Sequence, residues 1–294
     1  MRHKSENGYE RSYVQTADIE MTQEKPRKST RTEERYVFDE RVEFCAVQDH
    51  ILESKCTHVG GKSCQLCKFE KELSIPHLPE MIFAENRLQL RYRRGKTAFE
   101  PFIEFNAFDA LREVEVGKLP DVKVGASSVW QEARKEMPLR EFQRPFDWTY
   151  TSNYKGTVGS SVRVEPTEET INIEKLKERV PIVFYTEQTL YEDELADHGC
   201  SQMSVRVRVM PTCFLVLCRF YLRVDHVMVR MCDTRIFGEA HKPYVIREWV
   251  WREANYGQLS KSDLMNVLDG NLIWPVLPQI TSEITKLTCC DMNQ

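Results

Sequence analysis

The sequence predicts an α+β protein: a single domain built on antiparallel β-sheet, with short helices at its periphery. Three observations point there. Val205, Val207 and Val209 alternate with Arg206 and Arg208, the period of two that gives a strand one dry and one wet face. The apolar run 213–224, a turn at Asp225-His226 and a returning run 227–232 read as two long strands joined by a tight connection. A connection that short cannot cross a sheet in parallel, so these strands and the β-rich run 244–251 form an antiparallel meander. The helical signals, by contrast, are brief and capped.

In chain order, residues 1–35 mix Lys and Arg with Asp and Glu and hold few large apolar groups, so they predict a disordered tail. Its basic stretch 25–31 reads either as a localisation or phosphorylation patch or, more plainly, as solvated tail. Residues 36–255 form the globular domain. Within it, Asn106 three residues before Asp109 predicts a helix over 107–113, and Ser128 with Gln131 predicts one over 129–136. Asn172 caps a third over 173–179, stopped by Pro181. For 185–198, a helix cap fits Thr189 with Glu192, while strand alternation fits Leu190, Glu192 and Glu194; a strand is expected. Residues 256–294 are a divergent C-terminal segment in which Ile280, Ile284 and Leu287 space like an amphipathic turn or two.

The 294 residues are 41% hydrophobic and 29% charged with a formal net charge of −4, which excludes a collagen-like, coiled-coil or wholly disordered chain. That charge creates no basic field for nucleic acid. Residues 1–10 carry Arg2, Lys4, Glu6 and Glu10 where a signal peptide needs an apolar run. The apolar stretch 213–218 ends at Arg219, far short of the roughly 18 residues that span a bilayer. A cytoplasmic protein is expected, with the nucleus as a second location, and with its cysteines as thiols or metal ligands.

Three constellations carry possible chemistry. Cys64 and Cys67 have zinc-knuckle spacing, with Cys56 and His58 or the more distant His77 to complete a site; a zinc-dependent interaction module is one reading. The neighbouring Gly61-Lys62-Ser63 lacks the first glycine of a phosphate-binding loop, since that position is Cys56. Glu192, Glu194, Asp197 and His198 have the ligand types of a metal-dependent hydrolase, although neighbours along a strand point to opposite faces. The aromatic run 145–157 suits an interaction surface or a packed core strand equally well. No nucleophile elbow, HExxH, GxGxxG or kinase signature is present, which favours a binding protein over an enzyme.

A set of ordered blocks resembles the TIPRL family, the TIP-forty-one-like regulators of TOR signalling. The blocks are 78–81, 105–112, 130–132, 145–157, 174–177, 192–195 with 197–199, 207–211, 222–225 and 233–235, then Arg247-Glu248 and Arg252-Glu253. The resemblance spans about residues 40–255. It implies an α+β fold on antiparallel sheet and a non-enzymatic protein, without cofactor, that binds catalytic subunits of type 2A-like protein phosphatases. It further implies contact near the phosphatase active site and with its carboxyl-terminal tail, opposition to holoenzyme assembly, and an interaction with the alpha-four/Tap phosphatase-binding protein. Family contact positions fall on Asp109, Ile171, Met231 and Asp233. Met231 and Asp233 flank Cys232 at an expected strand end, and truncating both is expected to weaken binding without changing the melting temperature. Arg223, Arg230 and Arg235 are expected to add charge complementary to an acidic tail.

Overall fold

The computed structural model describes residues 31–49, 65–73, 75, 78–94, 98–115, 122–124, 142–144, 151–195 and 198–289. The expected helix over 129–136, most of the expected N-terminal tail, and residues 145–150 of the aromatic run lie outside them.

In the first half of the chain, β1 (Thr32–Phe38) and β2 (Val42–Gln48) are followed by α1 (Gln65–Glu72), β3 (Met81–Ile82), β4 (Arg87–Arg94), β5 (Ala98–Asn106) and α2 (Ala107–Arg112). Short pieces come next: β6 (Val114–Glu115), β7 (Val122–Val124), β8 (Phe142–Arg144), β9 (Thr151–Ser152), β10 (Thr157–Val158), β11 (Val162–Pro166) and α3 (Ile173–Lys177). The second half runs through the long strands β12 (Phe184–Asp193), β13 (Gly199–Val209), β14 (Cys213–Val224), β15 (Met228–Glu239) and β16 (Tyr244–Asn255). A 3-10 turn (Tyr256–Gln258), α4 (Lys261–Leu264), α5 (Gly270–Ile273) and β17 (Gln279–Cys289) complete it.

Two antiparallel layers result. The smaller has the order β1-β2-β4-β5-β10, and the larger β11-β17-β16-β15-β14-β13-β12-β3; β6 with β9 and β7 with β8 make two-stranded pieces. The run from β12 to β17 is a meander in sequence order, as the alternation and short connections predict. Val224 pairs with Met228, so the β14–β15 connection is one residue longer than the two-residue turn, and His226 takes left-handed backbone at φ +63. Such a φ is tolerated at His better than at a β-branched residue.

The core lies between the layers. On β14 the even positions Phe214, Val216, Cys218, Phe220 and Leu222 face inward, and β13 contributes Met203, Val205, Val207 and Val209. From the small sheet Phe44, Leu88, Leu90, Phe102, Ile103 and Phe105 close the other side. Phe44 meets Phe214 edge to face at 5.0 Å, and Tyr36 stacks on Phe184 at 5.3 Å, geometries that favour aromatic quadrupoles. Gly238 lets the Phe214 ring lie against the β15 backbone, where a Cβ would stand 2.2 Å from it.

The caps fall where the sequence places them. Asn106 accepts the Asp109 N–H at 2.8 Å and opens α2; Asn172 accepts the Lys175 N–H at 3.1 Å and opens α3, which ends at Lys177, two residues before the expected stop. Two expectations are corrected: the tail expected over residues 1–35 gives way at Thr32, where β1 begins and pairs with β2, and the second concerns the C-terminal segment. Residues 185–193 are strand as expected, but the C-terminal segment forms no helix around Ile280, Ile284 and Leu287. Those residues lie in β17, which pairs with both β16 and β11, so this segment is woven into the large sheet. Its Thr-rich, β-branched composition and the two open edges it joins outweigh a helical spacing of three apolar residues.

Candidate functional site: the arginine floor of the outer sheet face

The large sheet has a second face, built from the odd positions of β14 and β15. Two covers pack on it. Residues 256–277 cover Tyr221, Val229, Met231 and Ala254 through Val267, Ile273 and Leu277, and at the other end Ile171 covers Met210, Cys213, Phe237 and Ile246. Between the covers the floor is polar.

Its centre is Asp233, whose side chain is wholly buried. An isolated buried carboxylate is costly, so it must be paired. Arg219, its cross-strand neighbour on β14, donates from Nε to Oδ1 at 2.7 Å and from Nη2 to Oδ2 at 2.8 Å, the bidentate fork that guanidinium geometry favours. Arg235 Nη2 adds a third bond to Oδ2 at 3.2 Å. Above them sits Trp274, with the guanidinium carbons of Arg235, Arg252 and Arg219 at 5.0, 5.1 and 5.4 Å from its ring centroid. Each contact is a cation–π attraction, and three guanidinium charges gather at one ring beside two carboxylates, Asp233 and Glu248. The cluster therefore carries excess positive charge and attracts an anion.

Backbone and side-chain bonds fix the cover in place. Arg252 Nη1 donates to Leu277 O at 2.7 Å, the Tyr221 hydroxyl to Val267 O, and Asn271 Oδ1 accepts from Arg219 Nη1 at 2.9 Å and from Arg206 Nη2 at 3.2 Å. Gly270 lets α5 settle onto the floor, since a Cβ there would lie 3.1 Å from Met231 Cε and 3.3 Å from Arg219 Nη1. A cleft opens on each side of α5. One of about 320 Å³ is lined by Arg206, Arg219, Arg223, Leu217, Leu268 and Asn271 among others; the second, about 240 Å³, is lined by Arg235, Arg252, Trp274, Val250, Ser282 and Ile284 among others. Glu187 and Glu192 also line the first and Glu248 the second, so in each the guanidinium groups outnumber the carboxylates by one beside an apolar wall, a lining that suits a carboxylate-bearing peptide.

The expected contact positions separate by face. Met231 and Asp233 lie together on the outer face, but in the middle of β15, not at a strand end, because β15 runs unbroken through Glu239. Ile171 shares that face: it is 4% exposed, and its N–H donates to Glu248 Oε1 at 3.1 Å, while Glu248 stands opposite Arg235. Asp109 lies on α2, next to the small sheet, accepting from Thr157 Oγ1 at 2.6 Å and Asn106 Nδ2 at 2.9 Å and pairing with Arg112 at 2.9 Å. Arg235 is in the cluster. Arg223 lines the larger cleft with Asp225 2.8 Å away. Arg230 is brought elsewhere by strand parity: as an even position of β15 it faces inward, bonded to Glu253 at 2.7 Å and 5.3 Å from the Trp251 ring.

Among its described residues the acidic cluster does not converge as a metal site. Glu192 faces the larger cleft, Asp193 Oδ1 caps the Leu195 N–H at 2.7 Å, and His198 closes the following turn through its N–H to Leu195 O at 3.1 Å. Asp197, like Cys56, His58, Cys64 and His77, lies outside the described residues, and Cys67 sits half-buried on α1. Among the described residues no group of three or more His, Cys, Asp or Glu could hold a metal ion. Cys200, beside Glu192 in the larger cleft, has its thiol pushed up to about 11 by burial and by that carboxylate, so it is protonated near neutrality and a poor nucleophile.

Arg219, Arg252, Trp274 and Asn271 are functional candidates that sequence reasoning missed. One signal was present: Arg219 interrupts the apolar run of β14, and a charge in a strand read as buried demands a counter-charge on a neighbour.

A model of the TIP41-like family matches residues 81–260. The chain belongs to the TIP41-like family. A TIP41-like protein of Caenorhabditis elegans is 48% identical over 250 residues, covering 83% of this chain and 87% of that protein. The human TIP41-like protein is 45% identical over 223 residues, 74% of this chain and 78% of its own length. A Saccharomyces cerevisiae protein named type 2A phosphatase activator TIP41 is 37% identical over 197 residues, 61% of this chain and 54% of that protein. The TIP41-like match takes in β14, β15 and β16, which build the arginine floor, and ends at residue 260, so most of the cover, with Trp274, lies outside it.

Proposed function

We propose that this protein is a regulator, without chemistry of its own, that binds the catalytic subunit of type 2A-like serine/threonine protein phosphatases through the arginine floor. The observation that carries this reading is the name of two fungal relatives, type 2A phosphatase activator, in Saccharomyces cerevisiae and Schizosaccharomyces pombe. The geometry supports it from the other side. Arg235 and Arg252 beneath Trp274 supply donors for the carboxylates of an acidic tail, and Val250 and Ile284 supply apolar wall for its side chains.

In this reading Asp233 and Met231 touch no partner. Asp233 orients Arg219 and Arg235, and Met231 supports the cover at Gly270. Ile171 positions Glu248 beside Arg235, while Asp109 makes a second contact from the small-sheet layer. Binding modulates phosphatase activity in TOR signalling in the cytoplasm and opposes holoenzyme assembly; the alpha-four/Tap protein binds the same phosphatase population.

Mixing the purified protein with a type 2A catalytic subunit, followed by size-exclusion chromatography and a phosphatase assay on the complex fraction, tests this reading. Co-elution with altered activity is expected, and its direction separates activation from inhibition. Separate elution at micromolar concentrations with unchanged activity would overturn it.

A further inference from the structure

Past β12 the large sheet continues only as the two-residue strand β3, so most of the outer edge of β12 carries no paired strand among the described residues. On its inner side β12 pairs with β13 from Phe184 to Asp193. On its outer side it meets β3 only at Tyr191 and Glu192, with Phe83 N–H donating to Leu190 O at 3.0 Å and Asn86 Nδ2 to Thr189 O at 2.8 Å. From Phe184 to Gln188 no described residue pairs with the edge-facing backbone groups. An antiparallel strand turns alternate N–H and C=O groups away from its neighbour, so this stretch is a template for another strand. The irregularity that would blunt it lies beyond, between Thr189 and Tyr191.

Beside this edge the outer face holds a third cleft, about 330 Å³, lined by Ile182, Tyr185, Leu215 and Leu217 with Arg206 and Arg208. Ile182 and Tyr185 are 53% and 51% exposed, two large side chains left to water at one cleft, with the Tyr185 hydroxyl donating to Glu187 Oε2. The two guanidiniums are poorly neutralised. Arg206 reaches Glu187 only at 3.9 Å and donates from Nη2 to the neutral Asn271 amide at 3.2 Å, while Arg208 Nη2 donates to the Leu176 carbonyl at 3.1 Å and its buried Nε has no partner among the described residues.

We infer that β12 accepts an extended acidic–apolar segment of a partner protein as an added strand, with one apolar side chain seated between Ile182, Tyr185, Leu215 and Leu217 and a carboxylate bonded to Arg208 or Arg206. Backbone pairing gives this contact its affinity, and the cleft and the charge give it selectivity. Charge sets the occupant: the free donors are guanidinium groups, so the segment supplies Asp or Glu and a lysine-bearing segment is repelled. The inference stands apart from the phosphatase reading, because it rests on the strand edge and not on the Trp274 cluster.

The test uses the full chain and fluorescence anisotropy with labelled eight-residue peptides that alternate Glu and Leu in both registers. The same peptides with Lys for Glu, and with alternate amides N-methylated, serve as controls, because N-methylation removes the strand donors and keeps the side chains. Saturable binding is expected, at least tenfold weaker for both controls and for Ile182→Asp or Arg208→Glu proteins whose melting temperatures match the parent. Equal binding of the N-methylated peptide, or no binding of either register at millimolar concentration, would overturn it. So would a peptide-free dimer abolished by Ile182→Asp, which would make the edge a contact between copies of this chain.

Discussion

The two faces of the large sheet come from alternate residues of the same strands, yet they are held by different physics. Inward, β14 presents Phe214, Val216, Cys218, Phe220 and Leu222 to a dry, aromatic-rich core. Outward, the same strand presents Leu217, Arg219, Tyr221 and Arg223 to the larger cleft. The inner face is stabilised by removal of apolar area from water, a non-directional force that any well-fitting side chain supplies. The outer face depends on a directional network in which Asp233, three arginines and Trp274 must keep one arrangement. A substitution on the inner face should therefore change stability alone, whereas on the outer face stability and recognition are coupled.

The largest effects break the comparison most sharply. Phe220→Ala should cost roughly 3–5 kcal/mol, and Asp233→Ala a similar amount, roughly 3–5 kcal/mol, because it leaves buried guanidinium charge without its carboxylate. Denaturant titration measures both losses. The two variants should part company in binding: under conditions where both are folded, Phe220→Ala keeps its phosphatase affinity and Asp233→Ala loses it. Met231→Ala comes next, at roughly 2–5 kcal/mol for a wholly buried methionine. This revises the expectation that truncating Met231 and Asp233 leaves the melting temperature unchanged, which held only for exposed contact residues. An unchanged melting point for either would return both to the surface.

The smallest effect concerns the salt links around the Ile171 cover. Burial pushes the Glu169 carboxyl up, but hydrogen bonds from Lys242 and Tyr244 outweigh it and hold the group below its ordinary range. A carboxylate depressed in the folded state adds stability above its unfolded pKa of about 4.3 and loses it as pH falls through the folded value. Thermal melts between about pH 5 and 3 should fall more steeply for the parent than for Glu169→Gln. Parallel profiles would mean that these exposed links contribute nothing.

Much of the fold was legible in the sequence because its signals are local. Val205, Val207 and Val209 declare a strand by their spacing alone, and Asn106 and Asn172 declare helix starts through one side chain and one backbone N–H each. What was not legible depended on partners distant in the chain. Ile280, Ile284 and Leu287 have a helical spacing, but the open edges of β11 and β16 make them a strand. Arg230 and Arg235 looked equivalent until strand parity sent one inward and one outward. The same holds for the site: Arg235 was found through its neighbourhood in the chain, while Arg219 and Arg252 reach the cluster only through register with β15, and Trp274 only through the return of the C-terminal cover.

The central claim is that the arginine floor under Trp274 is the partner-binding surface. Isothermal titration of a type 2A catalytic subunit with the parent and with the Arg235→Gln, Arg252→Gln double variant tests it directly. Asp233 keeps its bidentate bond to Arg219 in that variant, while the Arg252 bond to Leu277 O and the Arg235 bond to Asp233 are lost, so melting temperature is measured beside affinity to separate loss of fold from loss of contact. The account predicts at least tenfold weaker binding at a melting temperature within a few degrees of the parent. Unchanged affinity in a folded double variant would contradict it and move the phosphatase contact to another face of the molecule.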